Sequence, residues 1–137
     1  MAFQNPSDQT IREVLSVPHT IAVVGCSPNP ERDSHRIARL LQGKGHRVIP
    51  VNPGHREILG EPCYRSLQDI PEPIDFVDIF RRSEHVAPIV DEAIEVGAKI
   101  VWMQLGVIDE VAAAKAQQAG LLVVMDRCPA IEYRRLF

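Results

Sequence analysis

TIAVVGCSPNP, residues 20–30, decides the fold: an apolar run rich in β-branched residues ends at Gly25 and opens into a loop of small, polar and proline residues. Such a run reads as a buried strand, and the loop reads as its turn into a helix. In an open α/β sheet the carboxyl end of the first strand faces the N-terminus of the next helix. That helix end offers unpaired N–H groups and a partial positive charge, so residues 25–34 are the first place to seek a phosphate site.

The same strand-turn-helix unit recurs along the chain. Upstream, Ser7 caps a short helix with Ile11, Val14 and Leu15 at helical spacing, and Pro18 stops it, which makes it a lid on the core. Strands are expected at residues 21–24, 47–51, 75–80, 99–103 and 121–125. Helices are expected at 34–42, at 83–96 between Ser83 and Gly97, and at 109–119 between Asp109 and Gly120. The Pro- and Gly-rich connection over 52–72 holds a short helix at 65–70, and the tail 126–137 holds a last helical turn. This alternation predicts an α/β, Rossmann-like, doubly wound parallel five-stranded sheet with helices on both faces. The expected strand order is 3-2-1-4-5, with the ligand cleft where the order reverses between strands one and four. At 137 residues the chain is expected to be a single domain.

Composition narrows the function classes. A net charge of -3 argues against broad nucleic-acid binding, which needs a basic face. No run approaches the ~20 apolar residues of a membrane span, and the first residues lack a basic start and an apolar signal core, so a cytoplasmic protein is expected. Three cysteines without a CxxC pair and five scattered histidines suggest neither a disulfide framework nor a metal site. The basic side chains nevertheless cluster after strands. Arg32 with Arg36, His55 with Arg56, Arg81 with Arg82, and Arg127 together predict one basic edge on an acidic protein.

Two nucleotide signatures are missing. GxGxxG is absent after the first strand, and the second strand ends in Asn52-Pro53-Gly54-His55-Arg56 rather than the acidic residue an NAD ribose would favour. No GxSxG elbow or GxxxxGK[ST] loop names a nucleophile or an NTP site, so no catalytic residue is assigned.

The motifs VVGCSPNP, VIPVNPGHREILGEPCYRSLQDIPEPID, DFVDIFRR, VWMQLGV and VVMDRCPAIEYRRL follow one another in unbroken order over roughly residues 15–137. In that order and spacing the chain resembles the small single-domain CoA-binding proteins, which are similar to the CoA-binding domain of the succinyl-CoA synthetase alpha subunit. The resemblance implies CoA across the carboxyl edge of the sheet, its pyrophosphate on Gly25, Cys26, Ser27, Pro28 and Asn29. Ser27 and Asn29 would offer small polar groups, and Ser34, His35 and Arg36 would add the helix dipole and charge.

The resemblance extends around the edge. The synthetases' Pro-Gly-Lys turn matches Pro53-Gly54-His55 here, following Asn52; with histidine in the lysine's place, Arg56 becomes the candidate for the charge. Phe80 and Arg81 would flank the adenine or the pantetheine. Gln104 and Gly106 stand where the synthetases carry a Thr-Glu-Gly turn that touches CoA. Asp126-Arg127-Cys128-Pro129 matches their Pro-Asn-Cys-Pro and would form a wall of the cleft. Because CoA bears a thiol, Cys26 and Cys128 are both candidates for a mixed disulfide.

The synthetases place their phosphorylated histidine in a further domain, for which 137 residues leave no expected room. The sequence therefore reads as a free-standing CoA or acyl-CoA binding protein, with a protein partner or a homodimer left open and with no nucleic-acid or membrane partner. Two alternatives stand beside it. One is a small enzyme using CoA or another nucleotide cofactor, with Asp126, Arg127, Gln104 or His85 as polar groups. The other is an NAD(P)-binding redox sensor.

Overall fold

The opening motif forms β1 (Thr20–Val24), which lies inside a parallel sheet with β2 (Arg47–Val51) on one side and β5 (Phe76–Ile79) on the other. This computed structural model describes residues 3–137. A two-residue hairpin, β3 (Glu57–Ile58) and β4 (Glu61–Pro62), sits in the connection between β2 and β5, and β6 (Ile100–Met103) and β7 (Leu122–Val124) complete the main sheet. All residues of β5 and β6 are buried, as strands covered on both faces must be.

Five parallel strands with helices on both faces are as the sequence indicates, but one strand lies elsewhere. The main sheet runs β2-β1-β5-β6-β7. The third long strand thus pairs with the first instead of lying outside the second, giving 2-1-3-4-5 rather than 3-2-1-4-5. Pro50 supplies the physical reason. Its carbonyl faces the outer side of β2, where it accepts from the Tyr64 N–H at 3.1 Å, and a proline has no N–H to offer a full neighbouring strand on that side. Among the described residues, strand pairing on that edge is limited to the single bridge between Val51 and Tyr64. The order therefore reverses between β1 and β5, which moves the expected cleft from strands one and four to the loops after β1 and β5.

Helices α1 (Asp8–Leu15), α2 (Asp33–Gly43) and α5 (Pro129–Leu136) cover one face, burying Ile11, Leu41 and Tyr133 with Ile21, Phe76 and Trp102. Helices α3 (Val86–Glu95) and α4 (Glu110–Gln118) cover the other, burying Val90 and Ala113 with Val77, Val101 and Met103. Ser7 caps α1 by accepting from the Thr10 N–H at 3.2 Å, and the helix packs on α5 as the expected lid. The tail is more than a turn. Pro129 opens α5 at a position where its missing N–H costs nothing.

The amino edge of the sheet, opposite the loop after β1, is fastened by a polar chain. His19 Nδ1 meets Asp75 Oδ2 at 2.5 Å, the His19 N–H donates to His46 Nδ1 at 3.1 Å, and His46 Nε2 donates to Tyr133 Oη at 2.7 Å. Burial, then the neighbouring His19, holds the His46 imidazole below its ordinary 6.5. A depressed pKa means this contribution is present above 6.5 and lost as pH falls through the folded value. Tyr133→Phe removes the link between His46 and the Leu15 carbonyl, which the Tyr133 hydroxyl reaches at 3.3 Å. It is expected to cost about 1 kcal/mol in urea unfolding at neutral pH.

Candidate functional site

At the carboxyl edge, Gly25 turns the chain out of β1 with φ +85, and a Cβ at this position would stand 2.3 Å from the Phe80 carbonyl oxygen. No side chain fits there, because the obstacle is backbone. The close approach brings the loops after β1 and β5 together at the switch point.

The loop that follows is held by its own side chains. The Ser27 N–H donates to Ser34 Oγ at 2.9 Å, the Asn29 N–H to Ser27 Oγ at 3.1 Å, and the Glu31 N–H to Asn29 Oδ1 at 3.0 Å. The oxygens of Ser27, Asn29 and Ser34 thus shape the loop, and His35 joins them, buried with Nδ1 2.9 Å from the Ser27 carbonyl. Helix α2 starts at the same place without a side-chain cap, because Arg32 occupies the N-cap position. An uncapped start leaves first-turn N–H groups for an external acceptor. Asn52 ties this loop to the turn after β2, donating from Nδ2 to the Cys26 carbonyl at 2.9 Å. Cys26 is fully buried, and burial first, with Cys63 and Asp78 adding, pushes its thiol up to about 12.

Three neighbouring cavities open along this edge, all lined by Phe80. The loop cavity, about 440 Å³, is lined by Gly25, Ser27, Ser34, two arginines, Arg32 and Arg36, and two carboxylates, Glu31 and Asp33, the latter paired with Arg36 at 2.5 Å. On the α3 side lies a cavity of about 400 Å³ with Asn52, Pro53, Arg65, Ser66, Arg81 and Glu92 in its wall. On the α5 side lies one of about 430 Å³, where Ile37, Leu105, Val107 and Ile131 make an apolar wall beside Gln104 and Cys128, with Asp33, Arg36 and Arg134 also in its lining. Volumes of this size suit cofactor fragments. Gly25 is shared by the first two, and Asp33 and Arg36 by the first and third, so the three adjoin one another as a segmented trench.

Among the expected site residues, Gly25, Ser27, Ser34, Arg36, Asn52, Pro53, Phe80, Arg81 and Gln104 line this trench. Cys26 and His35 lie beneath it, buried. Pro28, Asn29, His55, Arg56 and Gly106 are exposed and stand outside the lining of these cavities. The Gly106 N–H is taken by Asp126 Oδ1 at 2.7 Å. Arg127 is directed to the buried Glu132, 3.5 Å away, and donates to its neighbour's carbonyl at 3.0 Å, so it props α5 rather than adding to a basic edge. Trp102 is core, fully buried, with Nε1 donating to the Arg127 carbonyl at 2.9 Å. His85 is exposed beside Glu84.

Sequence reasoning missed Arg65, Ser66, Glu92, Ile131 and Arg134. Arg65 and Ser66 belong to the long connection, which crosses the carboxyl edge before a turn of 3-10 helix, Leu67–Asp69. The Leu67 N–H donates to Glu92 Oε1 at 3.2 Å and anchors that crossing to α3. The available signal was the cluster of Arg65 and Ser66 just before a helical turn, the same pattern that marks residues 25–34.

The CoA binding domain family matches residues 19–134. The chain is 42% identical over 126 residues to the uncharacterized protein YneT of Bacillus subtilis, covering 92% of this chain and 93% of that one. It is 39% identical over 80 residues to acetate–CoA ligase (ADP-forming) I of Archaeoglobus fulgidus, covering 58% of this chain and only 12% of the ligase. Among solved structures, a hypothetical protein from Pyrococcus horikoshii superposes with a TM-score of 0.91 at 41% identity, covering 99% of each chain.

Proposed function

This chain belongs to the CoA binding domain family, and we propose that it acts as a free-standing, single-domain binder of CoA or an acyl-CoA without catalytic machinery of its own. The observation that carries this reading is the row of three adjoining cavities that share Phe80, polar at one end, richer in apolar side chains at the other, with an uncapped helix start between them. CoA has the same order of parts: a charged nucleotide, a pyrophosphate and a mostly apolar arm.

The pyrophosphate is assigned to the loop cavity, where α2 N–H groups and Arg32 and Arg36 meet it. The adenosine end is assigned to the cavity of Asn52, Pro53, Arg65 and Arg81, with His55 and Arg56 on the exposed turn beyond Pro53 available to the 3'-phosphate. The pantetheine arm is assigned to the apolar cavity with Gln104. Cys26, Pro28, Asn29, His35 and Gly106 hold the edge in shape around these groups. A cytoplasmic setting goes with this reading, and no helix of the described residues is long and apolar enough to cross a membrane.

Thermal shift with CoA, acetyl-CoA, dephospho-CoA, NAD, NADP and ATP tests the proposal. CoA compounds at 100 times their Kd are expected to add roughly 2.7 kcal/mol of stability. Arg36→Glu, which sets a negative charge beside the pyrophosphate, is expected to weaken CoA roughly tenfold or more. Stabilisation by NAD or NADP without CoA would instead support the redox-sensor alternative.

A further inference from the structure

We propose that Cys128 is a thiol-exchange site for the ligand: a CoA disulfide seated with its pantetheine arm in the apolar cavity passes one CoA to Cys128 as a mixed disulfide. The inference rests on the CoA-binding reading and adds a covalent step to it.

Two independent features meet in that cavity. The first is Cys128, a partly buried residue in its lining. The second is Gln104, only 7% exposed and lining the same cavity, whose Oε1 has no hydrogen-bond partner among the described residues. A buried carbonyl oxygen without a donor is costly, and a ligand that brings an N–H relieves it. Pantetheine brings two amide N–H groups along an apolar chain that ends in sulfur. An apolar wall, an orphan acceptor and a thiol are the complement of that arm.

The other cysteines do not share this placement. Cys26 is fully buried with its thiol pushed up to about 12. Cys63 lies beside β4, its Sγ donating to the Asn52 carbonyl at 3.5 Å, and burial raises its thiol as well. Neither lines the apolar cavity.

The step balances without an external oxidant beyond the disulfide itself. Cys128 gives its proton to water, and its thiolate attacks one sulfur of the CoA disulfide. The Cys128–CoA sulfur–sulfur bond forms as the bond between the two CoA sulfurs breaks. The second CoA leaves as a thiolate and takes up a proton. One disulfide is consumed and one is made, so there is no net oxidation, and a free low-molecular-weight thiol reverses the step.

The reduced protein is incubated with CoA disulfide or with glutathione disulfide, and adducts are located by peptide mass spectrometry. Desulfo-CoA, which has the arm but no thiol, serves as competitor and as thermal-shift ligand. Expected is a single reductant-sensitive CoA adduct on Cys128, formed roughly tenfold or more faster than the glutathione adduct because the bound arm presents its sulfur. Desulfo-CoA should suppress it, Cys128→Ser should abolish it and Cys63→Ser should leave it. Stabilisation by desulfo-CoA together with equal rates for the two disulfides, or an adduct elsewhere, overturns the exchange and leaves the binding reading intact. No stabilisation by desulfo-CoA overturns both.

Discussion

Gly25→Ala is expected to cost on the order of 3 kcal/mol or more in stability and to abolish CoA binding. Two penalties combine. The residue has φ +85, a backbone region that costs a non-glycine residue roughly 1–3 kcal/mol. The new Cβ would also stand 2.3 Å from the Phe80 carbonyl oxygen, and overpacking adds roughly another 1–3 kcal/mol. Relief requires the loops after β1 and β5 to part, and those loops bound the trench. The Gly25 N–H, which donates to the Val51 carbonyl at 2.9 Å, would be drawn away with them. Urea unfolding and CoA calorimetry on the variant measure the two effects. A variant that keeps wild-type stability and affinity would show that the close approach at the switch point is not needed.

Asp78→Val is expected to stabilise the protein by on the order of 2 kcal/mol near pH 8 and to remove most of the decline in stability toward alkaline pH. Asp78 lies in β5 between Val23 and Trp102, fully buried, and neither carboxylate oxygen has a partner among the described residues. Burial holds its pKa well above the ordinary 3.8. A raised folded value means that its contribution is fully present below 3.8 and is lost as pH rises through the folded value, because the unfolded chain releases the proton first. Valine is comparable in size, suits a strand, and needs neither a proton nor a partner. Urea unfolding from about pH 5 to about pH 8 on both proteins checks the slope. A variant that is less stable at every pH, with the wild-type slope unchanged, would mean that the carboxyl is satisfied in the folded protein.

The parts of the fold legible in the sequence are those governed by short-range periodicity. The apolar runs at β1 and β6, the caps at Ser7 and Asp109 and the helix-ending Gly97 lie within a few residues of the structure they specify, and Asp109 accepts from the Ala112 N–H as a cap should. Strand order depends on distant pairing. Its sequence signal was a single residue, Pro50, which marks β2 as an edge. The site divides in the same way. Residues that follow strands directly, such as Gly25, Phe80 and Gln104, were readable because every strand of a parallel sheet ends at the same edge. Arg65 and Ser66 reach that edge from the middle of a long connection, and Ile131 and Arg134 reach it from a helix. The roles of Ser27 and Asn29 in holding their own loop also depend on its folded path.

Amide NMR during a CoA titration shows whether CoA lies along the carboxyl edge at Phe80. Saturable shifts are expected at Gly25, Ser27, Ser34, Phe80 and Gln104, with the amides of His19 and His46 at the opposite edge unmoved. Shifts centred on that opposite edge, or none at CoA concentrations that saturate a family member, would contradict that placement.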